Sequence, residues 1–271
     1  MSATDSLDET AIDDLALFAR ELVRAARDET LLRFAEGCRV EDKGGSAGFD
    51  PVTEADRAAE IAMRQLIGDR FPEHGVSGEE LAEKRADGQF AWSLDPIDGT
   101  RSYMCGLPTW VTLIALLRDG VPMMGLIDAP RLGELYIGMP GQTFLETERS
   151  VLQLHTSGCS DLVDARLSTT DPYLFTGAAG DAFERLRSAA RTARFGHDGY
   201  AYARLAAGTL DLVVECGLKP HDYHALIPVV RGAGGVVGDW LGETNFSAGN
   251  LIAAASPQLY EAAVAIMRDA S

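Results

Sequence analysis

Basic residues are scarce in this chain: 24 Lys and Arg stand against 41 Asp and Glu, a formal net charge of −17 over 271 residues. A nucleic-acid partner needs basic surface to neutralise its phosphates, so that class is set aside. Long apolar runs are missing too. None reaches the ~18 residues that a membrane span requires, and no membrane association is expected. The first ten residues are acidic and polar, unlike a secretion signal, which leads us to expect a cytoplasmic protein. Cysteine is sparse: Cys38, Cys105, Cys159 and Cys216 lie far apart, without paired metal-ligand spacing. Reduced thiols are the simplest expectation. Neither Pro nor Gly is in excess, and there are no internal repeats. With 46% hydrophobic residues, the chain has ample material for the core of one or two domains.

What the chain does have is a run of acids at places where structure should change. Trp92-Ser93-Leu94-Asp95-Pro96-Ile97-Asp98-Gly99-Thr100 reads as the end of a buried strand, Ala91 to Leu94, running into two carboxylates three positions apart. Pro96 is expected to end sheet pairing there and stiffen the turn. Strand ends are common ligand sites in α/β folds. Two acids this close repel unless a cation lies between them. Gly99 lets backbone approach a ligand, and the amides that follow could receive an anion. Acids for metal and amides for phosphate make a plausible phosphatase centre. The plainer reading is a turn, since Asp, Pro and Gly all favour turns. An aspartyl-nucleophile pattern, Asp-x-Asp-Gly-Thr, is disfavoured because two residues separate the acids here.

Taken in order, residues 10 to about 35 have helical spacing, with Thr10 and Asp13 resembling an N-terminal cap. Arg39 to Gly48 reads as a short strand and loop containing Lys43. Asp50 to Asp56 leads into a second helix that Thr53 can cap, and Asp56 then suits that helix's first turn. Gly75 to Gly78 leads to Glu79 and Glu80 within a run of mixed charge, by default a solvated face. From Trp110 the pattern becomes strands at 111–117, 122–127, 135–137 and 143–145, an antiparallel meander. A polar stretch at 151–160 suggests a boundary. We therefore expect an α+β N-terminal part, 1–152, and an α/β C-terminal part, 153–271, with strand and helix patterns alternating at 166–168, 181–193, 200–207, 210–214 and 223–232.

Asp222 follows Pro220 at a helix start, so capping is its plainest role. His221 and His224 could suggest zinc, but no cysteine is suitably spaced, and the acids elsewhere favour harder ions. Gly232-Ala233-Gly234-Gly235 is no dinucleotide fingerprint, because it follows a helix and leads into a strand.

These segments together resemble the inositol monophosphatase-like family of metal-dependent phosphatases. The matching motifs are DPVTEAD at 50–56, GEE at 78–80, DPIDGT at 95–100, and the block from Asp222 to Gly235. The resemblance implies a layered αβαβα sandwich of the inositol monophosphatase/fructose bisphosphatase type, an α/β fold, usually in a homodimer. It implies two or three Mg²⁺ ions per active site: Glu79, Asp95 and the Ile97 carbonyl for one, and Asp95, Asp98 and Asp222 for a second, with Asp56 reaching the site through water. Glu79, Thr100 and Asp56 would be catalytic, with Glu79 and Thr100 orienting the attacking water and the Gly99 and Thr100 amides holding phosphate. Oxygen-only ligands agree with Mg²⁺.

Phe195 to Tyr202, Leu205 to Gly208, Leu218-Lys219-Pro220 and Asp239-Trp240 are most similar to the histidinol-phosphatase branch. That branch tends to carry Gly-Gly-Asp-Cys-Tyr-Ala-Tyr; here His197 and Gly199 replace its second Gly and its Cys, and His221 replaces an aromatic. Histidinol phosphate carries an ammonium and an imidazole, for which Asp198 and Glu215 are sensible partners. Arg101 is a further candidate for binding substrate, and Lys43 a candidate site residue. The expected activity is therefore a Mg²⁺-dependent phosphomonoesterase acting on L-histidinol phosphate in histidine biosynthesis. The rivals are an inositol-1-phosphatase or broad sugar-phosphate phosphatase, and a non-catalytic metal-dependent regulator.

Overall fold

In the computed structural model, the described residues are 9–36, 40–42 and 51–270. Helix α1, Glu9–Glu36, buries Leu15, Phe18, Ala19, Leu22, Val23 and Ala26 along one stripe, the spacing of a 3.6-residue period. It already contains Thr10, which therefore lies inside the helix and not ahead of it as a cap. Strands β1, Val40–Asp42, and β2, Pro51–Thr53, pair antiparallel. Helix α2, Glu54–Arg70, buries Ala55, Ala59, Met63 and Ile67, four residues apart on one face.

Seven strands follow: β3, Gly75–Gly78; β4, Phe90–Asp98; β5, Val111–Arg118; β6, Val121–Ala129; β7, Glu134–Met139; β8, Gln142–Glu146; and β9, Val151–Gln153. The five-residue helix α3, Thr100–Met104, sits between β4 and β5. The strands lie side by side in chain order, with β3 parallel to β4 and every other pair antiparallel. The meander expected from the turn signals thus extends through β9.

The remainder builds a second, five-stranded sheet from β10, Arg166–Thr169; β11, Thr192–Phe195; β12, Leu212–Glu215; β13, Val236–Gly238; and β14, Leu251–Ala254. Its order is β11-β10-β12-β14-β13, parallel across β11-β10-β12 and antiparallel beyond. Helices α4, Ala178–Ala189; α5, Tyr200–Ala206; α6, Pro220–Tyr223; α7, Leu226–Gly232; and α8, Pro257–Met267, complete the chain. One expectation needs correction: the helical pattern at 181–193 stops at Ala189, and Thr192–Phe195 is a strand. The short apolar stretch around Ala193 fits either state by pattern alone.

Alternation along the strands sorts the layers. In β5, Ile114 and Leu116 pack with α1 and α2, while Leu113, Ala115 and Leu117 pack with α5 and α7. In β12, Val213 joins that same central layer, whereas Leu212 and Val214 pack with α4 and α8. The order is therefore helices, sheet, helices, sheet, helices: an αβαβα sandwich. Glycine permits the tightest contact in it. A Cβ on Gly138 would overlap the Val229 backbone, and one on Gly125 the Ala225 carbonyl, so α7 lies directly on the first sheet and fixes the position of α6 before it. Across the other face, Arg27 of α1 holds the fully buried Asp128 of β6 through two hydrogen bonds of 2.9 and 2.5 Å.

Candidate active site

The site is built on an irregularity in β4. Residues three apart in a regular strand face opposite sides, so Asp95 and Asp98 would diverge. Pairing with β5 runs Asp95↔Leu113 and then Asp98↔Val111, a register shift that inserts one extra residue. That bulge turns both carboxylates into one cavity. Pro96 does not end the pairing, as expected from sequence; it sits inside the bulge, where its missing N–H costs no ladder bond. Its carbonyl accepts a 2.7 Å hydrogen bond from Thr112 Oγ1. The chain then turns at Gly99, whose φ of 85° and ψ of 40° are left-handed and suit glycine. Thr100 opens α3 and donates from Oγ1 to the Ile97 carbonyl at 3.0 Å. The first amides of that turn have no acceptor within the helix.

Glu79 arrives directly after β3, and Asp222 from the third position of α6, where the Lys219 amide donates to its Oδ2 at 2.7 Å. The capping role and the place in the site belong to the same carboxylate. Asp95, Asp98 and Asp222 each offer an oxygen, all within 4.8 Å of one another. Glu79, Asp95 and His221 form a second such group, sharing Asp95. Burial, then the charges of Glu79, Asp98, Asp222 and Asp56, push the Asp95 carboxyl well above its usual range. Asp98 is pushed up by burial and by Asp198 and Asp222, against the Gly199 amide that lowers it. Asp56, buried in the first turn of α2, is part of this field. Among the described residues, no Lys or Arg side chain pairs with Asp95, Asp98 or Asp222, and the buried Asp95 Oδ1 has no hydrogen-bond partner. An oxygen-rich, mutually repelling donor set of this kind fits a hard dication.

Around the acids lies a cavity of about 320 Å³, lined among others by Ile97, Gly99, Arg101, Thr170, Asp198 and Lys219. Asp198 follows β11 with a φ of 45°, and the next amide, Gly199, donates a short hydrogen bond to Asp98 Oδ2. Burial pushes the Asp198 carboxyl up to about 6, although the Arg101 charge works against the rise. Arg101 is mostly exposed and pairs with Asp171 at 3.2 Å. Glu215 lies deeper: it is 1% exposed and accepts from Thr169 Oγ1, Thr170 N and Thr170 Oγ1 at 3.1, 2.7 and 3.0 Å. Burial still raises it to about 8. Its carboxylate is directed at these donors and stands behind the cavity wall. Lys43 lies outside the described residues. A larger cavity, about 720 Å³, opens beside Arg166, Arg191 and Asp211 and contains none of these groups.

Sequence patterns missed Thr170 and Glu60, and joined two histidines that the structure parts. His221 and His224 were legible as a pair, yet the structure separates them: His221 joins Glu79 and Asp95, while His224 Nδ1 lies 3.0 Å from Ser93 Oγ. Thr170, in the wall, carries no motif. Glu60 is fully buried and accepts from the Glu80 amide at 2.7 Å and from Arg64 Nε at 2.6 Å, securing the backbone next to Glu79. Its one visible signal was Arg64, four residues on.

A crowded carboxylate cluster at a bulged strand end, within an αβαβα sandwich, is a ready donor set for divalent cations. The inositol monophosphatase family profile matches residues 11–271. The chain is 42% identical over 241 residues to the chloroplastic bifunctional phosphatase IMPL2 of Arabidopsis thaliana, covering 88% of this chain and 67% of that one. It is 35% identical over 208 residues to a histidinol-phosphatase of Chlorobaculum parvum, covering 76% and 79%. A solved inositol monophosphatase from Zymomonas mobilis superposes with a TM-score of 0.81 at 38% identity, covering 95% and 99%. The chain belongs to the inositol monophosphatase family.

Proposed function

We propose that this enzyme hydrolyses L-histidinol phosphate to L-histidinol and phosphate, with Mg²⁺ held by Glu79, Asp95 and the Ile97 carbonyl and by Asp95, Asp98 and Asp222. Bound there, Mg²⁺ supplies positive charge to the phosphoryl oxygens and lowers the pKa of a nearby water. The protein's own groups do the rest. Amides of Gly99 and Thr100 hold the phosphate, and Thr100 Oγ1 with Glu79 orients the attacking water in line with the ester oxygen. Asp56 reaches the cluster through water. Asp198 receives the cationic head group, Arg101 screens Asp198 from the outer side, and Glu215 holds Thr170 in the wall.

Asp198 carries the choice of substrate. A carboxylate raised to about 6 by burial in a cavity wall is a group that gains from an incoming ammonium or imidazolium, whereas a polyol offers it only hydroxyls. The similarity to a protein named as a histidinol-phosphatase points the same way. The likeness to an inositol monophosphatase structure favours the polyol instead, so both belong in one assay. Asp198→Asn keeps size but removes charge. It should lower kcat/KM for histidinol phosphate by roughly 10- to 100-fold and barely change hydrolysis of glycerol phosphate. Equal losses on both esters, or a wild-type preference for inositol phosphate, would overturn the assignment.

A further inference from the structure

We propose that His221 contributes an imidazole nitrogen to the cation position of Glu79 and Asp95, so that the position assigned above to one Mg²⁺ also takes Mn²⁺, Co²⁺ or Zn²⁺, and holds them more tightly. One nitrogen of His221 and one oxygen each of Glu79 and Asp95 lie within 4.8 Å of one another. This is a different triad from Asp95, Asp98 and Asp222, and the nitrogen distinguishes it. A further observation points to a ligand there. Asp95 is 1% exposed, and its Oδ1 has no hydrogen-bond partner among the described residues. His221 Nε2 stands 3.4 Å from Asp222 Oδ1, an ion-pair contact only when the ring is protonated, so a cation taken by the neutral ring replaces that contact.

The ring is held where a ligand would need it. Its side chain is 13% exposed and lines the cavity with Glu79, Asp95 and Asp222. Pro220 at the start of α6 and the bond from the Lys219 amide to Asp222 fix the backbone on both sides of it. His224, one turn away, faces Ser93, so one imidazole enters the triad. Mg²⁺ takes oxygen donors and keeps its waters. A site with an imidazole binds borderline ions more tightly, in the order Mn²⁺, Co²⁺, Zn²⁺. The consequence is a difference between two neighbouring positions that both take Mg²⁺: an all-oxygen group, and a nitrogen-bearing group that binds a transition metal more tightly when one is present.

The inference rests on the carboxylate cluster being a metal site, but not on the substrate assignment. Mn²⁺ alone, added stoichiometrically to the whole protein, is the probe. Pulsed electron paramagnetic resonance of the wild type should show ¹⁴N modulation from one imidazole. His221→Gln should abolish the modulation and weaken Mn²⁺ binding by about 10-fold or more, with Mg²⁺ affinity changed less than threefold. His224→Gln should leave the modulation intact. Absence of ¹⁴N modulation in the wild type, or its persistence in H221Q, would overturn the proposal, and the wild-type measurement needs no variant to fold. Failure to hydrolyse histidinol phosphate with the modulation present would remove the substrate assignment and leave this site standing.

Discussion

Asp95 belongs to both acidic groups, so Asp95→Asn tests the site most directly, and its sign differs with and without metal. Two ionised carboxylates whose oxygens lie within 4.8 Å of each other repel by at least about 3.5 kcal/mol at an effective dielectric of about 20. Asp95 feels such repulsion from Glu79, Asp98 and Asp222, besides the cost of its burial. Without metal, the Asn variant carries neither that repulsion nor the cost of ionising a buried carboxyl, and it should melt at or above the wild-type temperature. With metal the order reverses. A bound ion at 100 times its dissociation constant stabilises the wild type by about 2.7 kcal/mol, which for a domain of this size is a rise of about 5 °C. The Asn variant should lose most of that rise, and nearly all of its metal-dependent phosphate release. Thermal melts without Mg²⁺ and with Mg²⁺ at about 100 times its dissociation constant, beside a phosphate-release assay, measure both. A lower melting temperature for the metal-free variant, or a full metal-dependent rise together with near wild-type turnover, would refute the assignment of Asp95 as the shared ligand.

Thr100→Ala removes the hydroxyl that bonds Ile97 but keeps the amide; kcat should fall by about 10²-fold or more with little change in KM, and a defect confined to KM would limit Thr100 to binding. Asp211, 1% exposed beside a side chain of Arg166 that is 38% exposed, is opposed by burial but carried below its usual pKa by hydrogen bonds from Arg166 and Ser157. Because the folded-state pKa is depressed, its contribution is present above the unfolded value of ~3.9 and is lost as pH falls through the folded value. Asp211→Asn should therefore cost about 1–2 kcal/mol near neutrality, since it removes charge-assisted hydrogen bonds but leaves Arg166 in contact with solvent, and denaturant curves should show the gap to wild type closing on acidification. A gap that stays constant down to strong acid would place the effect outside the ion pair.

Much of the fold was legible because its signals are local. The α1 stripe from Leu15 to Ala26 and the turns between β5 and β8 each declare themselves within a few residues. What stayed hidden depends on contacts made across the chain. Residues 192–195 become a strand because β10 is available to pair with them in parallel, and nothing within the segment reports that partner. Gly125 and Gly138 look like ordinary strand glycines until α7 is laid against them. The two-sheet layering follows from β5 being apolar on both faces, a pattern that demands cover on each side but does not say which helices supply it.

The site divides along the same line. Asp95, Asp98, Gly99 and Thr100 were readable together because one short segment carries all four, but the reason for their spacing was not. Pro96 suggested an end to pairing, whereas the pairing with β5 resumes after one extra residue, and that bulge is what brings acids three apart onto one side. The histidines show the converse error. His221 and His224, three apart on helical backbone, invited treatment as a pair, yet their environments are set by other strands: Ser93 receives one, and the Glu79–Asp95 edge receives the other. Ser93 and Asp95 are two residues apart on β4 and so share a face. The short helices α6 and α7 are laid across that face, so the same alternation that aims Asp95 into the cavity sends His224 to Ser93 and leaves His221 beside the acids. Spacing within a motif thus supplies the chemistry of the donors, while strand register decides which of them meet.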